Sequence, residues 1–597
     1  VRVIFATIAL VAPHSAFAAV SNAPPFTLSR DGDQWWLRSP DGQRFFSVGV
    51  CVVTPGAVVR ESFNPTNPGY AAWQHHPSDS AWADATLKRL REWRFDTIGA
   101  WSHHNNLITS PHMLRGLTPV LHVGSTAGAP WWDMWDPKIT QRMDDVARAQ
   151  ILPVRDDPRL IGYYTDNEMG WWNAALFQMA LDQAPTSGQR QRLIKLLRDT
   201  YANDWQKLLA DFDPEVADSF DALDQKGRLW LRPDGNGVKV MRRFLALAAS
   251  RYYQLVHDII RKYDRRALIL GDRYQSFYYP EVAQAAAPYV DAMSSNLNAI
   301  WHDGLFPRFQ MDTLHDLTSK PIFVSEFYAA ATVNRTGNRN SRGIFPVVGT
   351  QRERAAALTT TLNSLARLPY VVGVDWFQYF DEPRHGRHDG EDFNFGLVDI
   401  YDKPYAEVTR AFAKADLSDK KSRPPALRLD ASAGVPRAPR DPFAHFIPGH
   451  ALKHWDRERG FVKPATELPI ADLYLCWSAE ALYVGMLAQD IVEEAYYRDK
   501  VMPEIDRAVW TVKIGNGDSV TAKIGAGRKS VVSDPSLCIE NLSGANQDAR
   551  NITLLELPAR KLGRSHFRAG DTVELSSTLQ THAKSYKVAW EGNFKLK

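Results

Sequence analysis

A chain of 597 residues exceeds one ordinary domain and predicts a large domain joined to a medium one. Hydrophobic content of 44% and charged content of 23% are those of a soluble globular protein. A formal net charge of +3 over this length is nearly neutral and argues against nucleic acid as the main partner, which would need a concentrated basic face.

The chain opens on Val1-Arg-Val-Ile-Phe-Ala-Thr-Ile-Ala-Leu-Val-Ala12, a basic start followed by a short apolar stretch, and then Ala16-Phe-Ala18. This pattern predicts a bacterial secretory signal peptide over residues 1–18, and hence a periplasmic or secreted protein. The stretch is too short to span a bilayer and no other run is long enough, so no transmembrane segment is expected. In an exported protein the three cysteines leave at least one unpaired: Cys51 reads as a small core residue, while Cys476 and Cys538 could pair. No Cys/His spacing resembles a zinc site, and no cofactor is expected.

Beyond the leader, Asp33 to Gly42 reads as a strand entering a Pro-Asp-Gly turn, and Arg44 to Val53 as the next strand. Helical patterns then alternate with short apolar runs. Helices are expected over Trp82–Arg94, Gln189–Asp211, Val238–Tyr263 and Thr350–Leu368. β runs after the first are expected at Asp96–Trp101, Thr118–Val123, Leu160–Thr165, Ala267–Gly271, Val290–Ser294, Pro321–Val324 and Val371–Trp376. Eight β runs separated mostly by helices predict a (β/α)8 TIM barrel over 26–418. An open doubly wound sheet is disfavoured because no Gly-rich phosphate loop follows the first strand. A Pro-rich, charged linker is read at 419–442. Short alternating strands such as Ala471–Trp477, Ala481–Met486, Ala508–Ile514 and Tyr586–Trp590 predict an all-β sandwich over 443–597.

Polar and aromatic residues gather just after the β runs, where barrel enzymes build their sites. They include Trp101, His103, His122, Asn167, Glu168, Asp272, Arg273, Asn296, Glu326, Trp376 and Gln378. A carboxylate at the end of a buried strand is costly, and two ringed by aromatics are what cleavage of a glycosidic bond requires. Glu168, after the fourth β run, is assigned as acid/base and Glu326, after the seventh, as nucleophile. Asn167 is placed to hydrogen-bond the sugar 2-hydroxyl. Trp376 is read as a platform beneath the sugar, and Trp101, Trp131–Trp132 and Trp171–Trp172 as cleft wall. His103, His122, Asn296 and Gln378 are read as polar contacts to hydroxyls, and Tyr328 as holding the nucleophile. Asp381, Glu382, Glu391 and Asp392 are read as decoys. Three arginines in the insert Asn334–Gly343 could meet an anionic sugar, or the insert could be a solvated loop.

Asn-Glu after the fourth strand and Glu after the seventh resemble glycoside hydrolase clan A. Gly162-Tyr-Tyr-Thr-Asp-Asn-Glu-Met-Gly-Trp171, Ser325-Glu-Phe-Tyr328, Trp376-Phe-Gln-Tyr379 and Asp389 to Asp399 are most similar to family 50 β-agarases. The resemblance implies retaining cleavage of a β-glycosidic bond in an extracellular polysaccharide or its oligosaccharides. Leu473 to Gly485 weakly resembles family 9 carbohydrate-binding modules. A non-catalytic carbohydrate-binding protein on the same scaffold, or a transglycosylase using the same residues, are the alternatives.

Overall fold

The computed structural model describes residues 24–57, 64–275, 278–297, 301–341 and 345–417. Further on it describes 435, 437, 438, 440, 442, 443, 461, 462 and 470–597 except 490–492, 525–529, 535, 536, 538 and 542–550. The expected signal peptide and most of the expected linker lie outside the described residues, as does Cys538. Cys51 and Cys476 are buried free thiols.

Antiparallel strands Thr27–Asp31, Gln34–Arg38 and Arg44–Phe45 lead into an α/β core. Gly42, at φ +79°, closes the expected turn between the last two. Eight short segments form the core: β1 (Ser47–Val50), β2 (Thr97–Ile98), β3 (Gly116–Leu117), β4 (Gly162–Tyr163), β5 (Leu268–Ile269), β6 (Met293–Asn296), β7 (Ile322–Phe327) and β8 (Val371–Trp376). A parallel sheet runs β6-β7-β8-β1-β2-β3, and β4 pairs with β5, also in parallel. Single parallel bridges, Leu117 to Leu160 and Val120 to Tyr164, connect β3 with the β4 segment; Tyr274 to Ser295 connects the β5 segment with β6.

Parallel strands need crossovers, and here these are helices with one apolar face. They include α1 (Asp79–Glu92), α2 (Pro137–Ile151), α3 (Asn173–Asp182), α4 (Gly188–Thr200), α5 (Gly237–Tyr263), α6 (Arg308–Thr318), α7 (Gln351–Ala366) and α8 (Ala406–Lys414). The start of α1 lies three residues before the expected Trp82, because Ser78 accepts from the Ala81 amide and caps it there. The stretch expected as one helix over Gln189–Asp211 breaks after α4: Ala202 and Asn203 are left-handed, and Asp204 caps a new short helix at Trp205. The run expected as a strand over Thr118–Val123 instead follows β3, turns left-handed at His122 and enters a helix at Val123. An antiparallel hairpin, Phe212–Glu215 with Arg228–Leu231, interrupts the alternation before α5 and had no sequence signal of its own.

Val50, Ile98, Leu117, Ile269, Ile322 and Val374 are fully or almost fully buried against helix residues such as Leu87, Tyr252, Leu314 and Leu362. Each such aliphatic side chain contributes about 1.5–3 kcal/mol of burial free energy.

The C-terminal region is antiparallel. One sheet orders Phe461–Val462, Ala471–Trp477, Ala481–Ala488, Asn551–Pro558 and Ile539–Asn541; the other orders Ser530–Val532, Val520–Ile524, Ala508–Ile514, Thr572–Gln580 and Lys587–Lys595. Alternate residues of both (Leu473, Val484, Trp510, Leu575, Trp590) share one apolar core. Among the described residues no helix is long and apolar enough to cross a membrane.

Candidate active site

Glu168 lies five residues beyond β4, and Glu326 lies inside β7 near its end. The pairing register of β7 slips on both sides at this point. Ser295 faces Val324 but Asn296 faces Glu326, and Val324 faces Val374 but Phe327 faces Trp376. Such a bulge re-aims the side chain it carries. The same bulge sets Asn296 across from Glu326.

Hydrogen bonds join the two carboxylates into one group. Arg273 Nη2 donates to Glu326 Oε1 at 2.6 Å while its Nε donates to Asn167 Oδ1 at 2.9 Å. Asn296 Nδ2 donates to Glu168 Oε1 at 2.8 Å, and Gln275 Nε2 donates to Glu168 Oε2 at 3.0 Å. The Ser325 hydroxyl donates to Asn296 Oδ1 at 2.8 Å, which fixes the amide so that its nitrogen faces Glu168. Burial pushes the Glu326 carboxyl up to about 7, and Glu168 adds to the rise while the Arg273 guanidinium opposes it.

Arg273 is itself fully buried and sits between aromatic faces, 4.4 Å from the Trp101 ring and 4.8 Å from that of Tyr164. Trp101 is oriented by His122, whose Nε2 accepts from the indole N–H at 2.9 Å. Burial lowers the His122 pKa, which keeps the imidazole neutral and able to accept. The Tyr164 hydroxyl donates to Asp375 Oδ2 at 3.0 Å. Asp375 occupies space that only Gly49 leaves open, since a Cβ there would lie 2.0 Å from its Oδ1.

Glu168, Trp101, His122 and Arg273 all have left-handed backbones, at φ between 49° and 54°. Each costs on the order of 1–3 kcal/mol for a residue other than glycine, and such outliers gather where function fixes the chain. For Glu168 the opposing hold is its amide, shared between the carbonyls of Asp272 (3.2 Å) and Arg273 (3.3 Å).

Of the residues singled out from sequence, Asn167, Glu168, Asn296 and Glu326 meet in this group, and Trp101 and His122 stand one layer behind it. Tyr328 packs in an aromatic cluster, 4.8 Å from both Phe345 and Phe395. His103 is exposed at the head of the short helix His104–Leu107, outside the hydrogen-bonded group. Gln378 is buried, with its backbone bonded to Phe395 and Leu397.

Trp376 corrects the expectation of a sugar platform. It is fully buried, its indole N–H donates to the Phe395 carbonyl at 2.9 Å, and its ring packs against Phe327 and against Phe412 of α8. Side chains alternate along a strand, so Trp376 faces the helix layer and the next residue takes the opposite side. That residue, Phe377, meets the Trp101 ring edge-on at 6.0 Å. Trp171 is likewise no wall residue: it is buried and donates to Asp272 at 2.9 Å. Trp131 flanks Gly170, and Trp132 is 61% exposed.

The loop after β7 is exposed at alternate residues, Arg335 and Arg339 among them, but is pinned by hydrogen bonds. Arg335 pairs with Asp399 at 2.5 Å, Asn338 bonds the carbonyls of Glu382 and Pro383, and Ser341 bonds Asp392. Arg339 is exposed, and Arg342 lies outside the described residues. Asp381 and Glu382 are buried structural acceptors, bonded by Thr336, Tyr405 and the Phe393 amide. Among the described residues no group of three or more His, Cys, Asp or Glu side chains is arranged to hold a metal ion.

Arg273 and Gln275 are the site residues that sequence reasoning left without a role. Their signal was the one that marked Glu168, a polar residue within a few positions of the end of a short apolar run.

No family model matches the chain. Two curated proteins of Vibrio sp. (strain JT0107) do. β-Agarase B is 28% identical over 361 residues, covering 56% of this chain and 36% of that protein. β-Agarase A is 26% identical over 460 residues, covering 65% and 45%. The chain therefore spans less than half the length of either. In fold it is similar to the crystal structure of an agarase (TM-score 0.56, 21% identical, 66% of this chain and 65% of that one). It is similarly close to an exo-β-agarase (TM-score 0.55, 21% identical, 66% and 65%) and to a structure labelled as family 50 (TM-score 0.55, 21% identical, 66% of each). In sequence this chain is thus similar to two β-agarases, and in fold to an agarase and to a structure labelled as family 50.

Proposed function

We propose that this protein is a retaining glycoside hydrolase cleaving β-linkages in an agarose-like galactan or its oligosaccharides, with Glu326 as nucleophile and Glu168 as acid/base. The observation that carries this reading is the hydrogen-bonded group in which Arg273, Asn167, Asn296 and Gln275 hold the two carboxylates together. The eight parallel segments are read as one closed (β/α)8 barrel, supported by their pairings and bridges, with the site at its C-terminal rim. The C-terminal sheets are read as a β-sandwich.

Glu326 Oε attacks the anomeric carbon as the glycosidic bond breaks, and Glu168 gives its proton to the departing oxygen. Glu168 then removes a proton from water, which displaces Glu326 and returns the sugar with its original configuration. Arg273 keeps Glu326 ionised against the pull of its burial. Asn167 is placed to bond the 2-hydroxyl, an interaction that strengthens as positive charge develops on the ring.

The raised pKa of Glu326 favours a second reading in which the roles are exchanged. The 2.6 Å ion pair argues against it, because a guanidinium donating to Glu326 stabilises the carboxylate and not the acid. Digestion of agarose, other β-galactans, β-glucans and β-mannans, with product analysis, tests the proposal. Release of oligosaccharides by the native chain, lost in both Glu168→Gln and Glu326→Gln, is expected. Full activity in either variant, or turnover of none of these glycans, refutes it.

A further inference from the structure

In a strand-helix unit the helix starts at the end where its strand finishes, so α3 and α6 begin at the rim that carries Glu168 and Asn296. Neither helix caps itself. Trp172 and Pro307 occupy their N-cap positions and offer no side-chain acceptor. The first amides of a helix are unpaired donors, and buried ones are costly without a partner.

The C-terminal region supplies both partners. Glu493 lies 320 residues beyond Asn173, yet its carboxylate accepts from the amides of Asn173 (2.6 Å), Ala174 (2.7 Å) and Ala175 (3.1 Å), and from the Tyr279 hydroxyl. Asp472 accepts from the amides of Arg308 (2.7 Å) and Phe309 (3.2 Å) in the same way. Both carboxylates are buried. Around them, Tyr496 and Tyr497 share a core with Phe177, Leu193 and Phe244, and Tyr474 and Leu487 share one with Trp301 and Phe309. The Gln489 amide also donates to the Tyr278 carbonyl.

Four residues separate Glu168 from Asn173, and at its near end that segment is held by the Glu168 amide, shared between the carbonyls of Asp272 and Arg273, by the Glu168 carboxylate on Asn296 and Gln275, and by the Trp171 indole on Asp272. Its far end is the start of α3. We propose that Glu493 is a positioning residue for the acid/base: the C-terminal region clamps the start of α3, and so fixes the left-handed turn that aims Glu168. This rests on the reading of Glu168 as acid/base. It assigns the C-terminal region a part in catalysis that is separate from any sugar binding of its own.

The test uses the full chain and two β-galactosides, a 2,4-dinitrophenyl glycoside, whose leaving group departs without protonation, and neoagarotetraose, whose leaving group does not. General acid catalysis supplies about 10²- to 10⁴-fold. Mispositioning of the acid in Glu493→Ala should remove part of this, lowering kcat/KM on the oligosaccharide by roughly 10- to 100-fold. On the dinitrophenyl glycoside kcat/KM should fall by less than about 3-fold, since that step needs no acid. Glu493→Gln keeps an acceptor and should recover much of the loss. Equal losses on both substrates, or none on either, overturn the proposal.

Amide hydrogen exchange of Glu493→Ala gives a readout that does not require activity. Faster exchange confined to residues 166–176, with the C-terminal sheets still protected, is expected. Unchanged exchange there refutes the clamp. If the native chain turns over neither substrate while exchange behaves as expected, the clamp stands and the functional reading fails.

Discussion

Replacing Arg273 by Met removes the guanidinium while keeping most of the side chain's bulk between Trp101 and Tyr164. Glu326 then loses a charge-assisted bond of 2.6 Å in a site where it is only 7% exposed. With Arg273 present, burial already sets its pKa at about 7. An opposite charge at this distance lowers a carboxyl pKa by about 1–3 units, so its loss should raise Glu326 to about 8–10. At pH 7 the ionised fraction drops from about one half to between about one tenth and one thousandth. Only the carboxylate attacks the anomeric carbon, so kcat/KM at pH 7 should fall by about 5- to 500-fold. The sign is specific: the acid limb of the pH profile moves to higher pH, and part of the lost rate returns as pH is raised. The assay is kcat/KM on an agaro-oligosaccharide from pH 5 to 10, with circular dichroism as the check on folding. A folded variant whose acid limb does not move would refute the assignment of Arg273 and, with it, of Glu326 as the group that must be ionised.

Three further outcomes follow from the same geometry. Gly49→Ala puts a Cβ 2.0 Å from Asp375 Oδ1, and should cost about 1–3 kcal/mol in chemical denaturation; an unchanged midpoint would contradict the packing beneath Arg273. Trp376→Phe should lose about 1–3 kcal/mol of stability and leave KM unchanged, whereas a large rise in KM would restore the sugar-platform reading. Asp272 is buried and its pKa is raised to about 7 by burial, above its unfolded value. The native state therefore holds a proton that the unfolded chain releases, and this contribution to stability is lost as pH rises from about 4 to about 7. Asp272→Asn should flatten the fall of Tm over that window, and an unaltered slope would contradict it.

Both carboxylates were legible because charge at the end of a short apolar run is hard to explain as packing. The place of Asn167 beside Glu168 was legible from adjacency, while its bond from Arg273 was not. Trp376 was misread because residue type does not give strand parity: Trp376 and Phe377 are both aromatic, and only the β7–β8 pairing decides which faces the helices. The bulge at Ser325–Glu326 is equally silent, since it is a mismatch between two strands and not a property of one. The C-terminal strands were visible in their alternation. Their docking was not, because Glu493 reaches a helix 320 residues away and nothing local marks it as a cap. The pinned loop after β7 shows the same limit, its bonds running mostly to residues 381–399 across the chain.

The most direct test of the central claim is azide rescue of the two glycine variants on an activated aryl β-glycoside. Glu326→Gly should regain activity with azide and release a glycosyl azide of inverted configuration, because azide enters the space the nucleophile leaves. Glu168→Gly should give the azide with retained configuration. The opposite pattern would exchange the two roles, and no glycosyl azide from either variant would contradict a retaining mechanism through this pair.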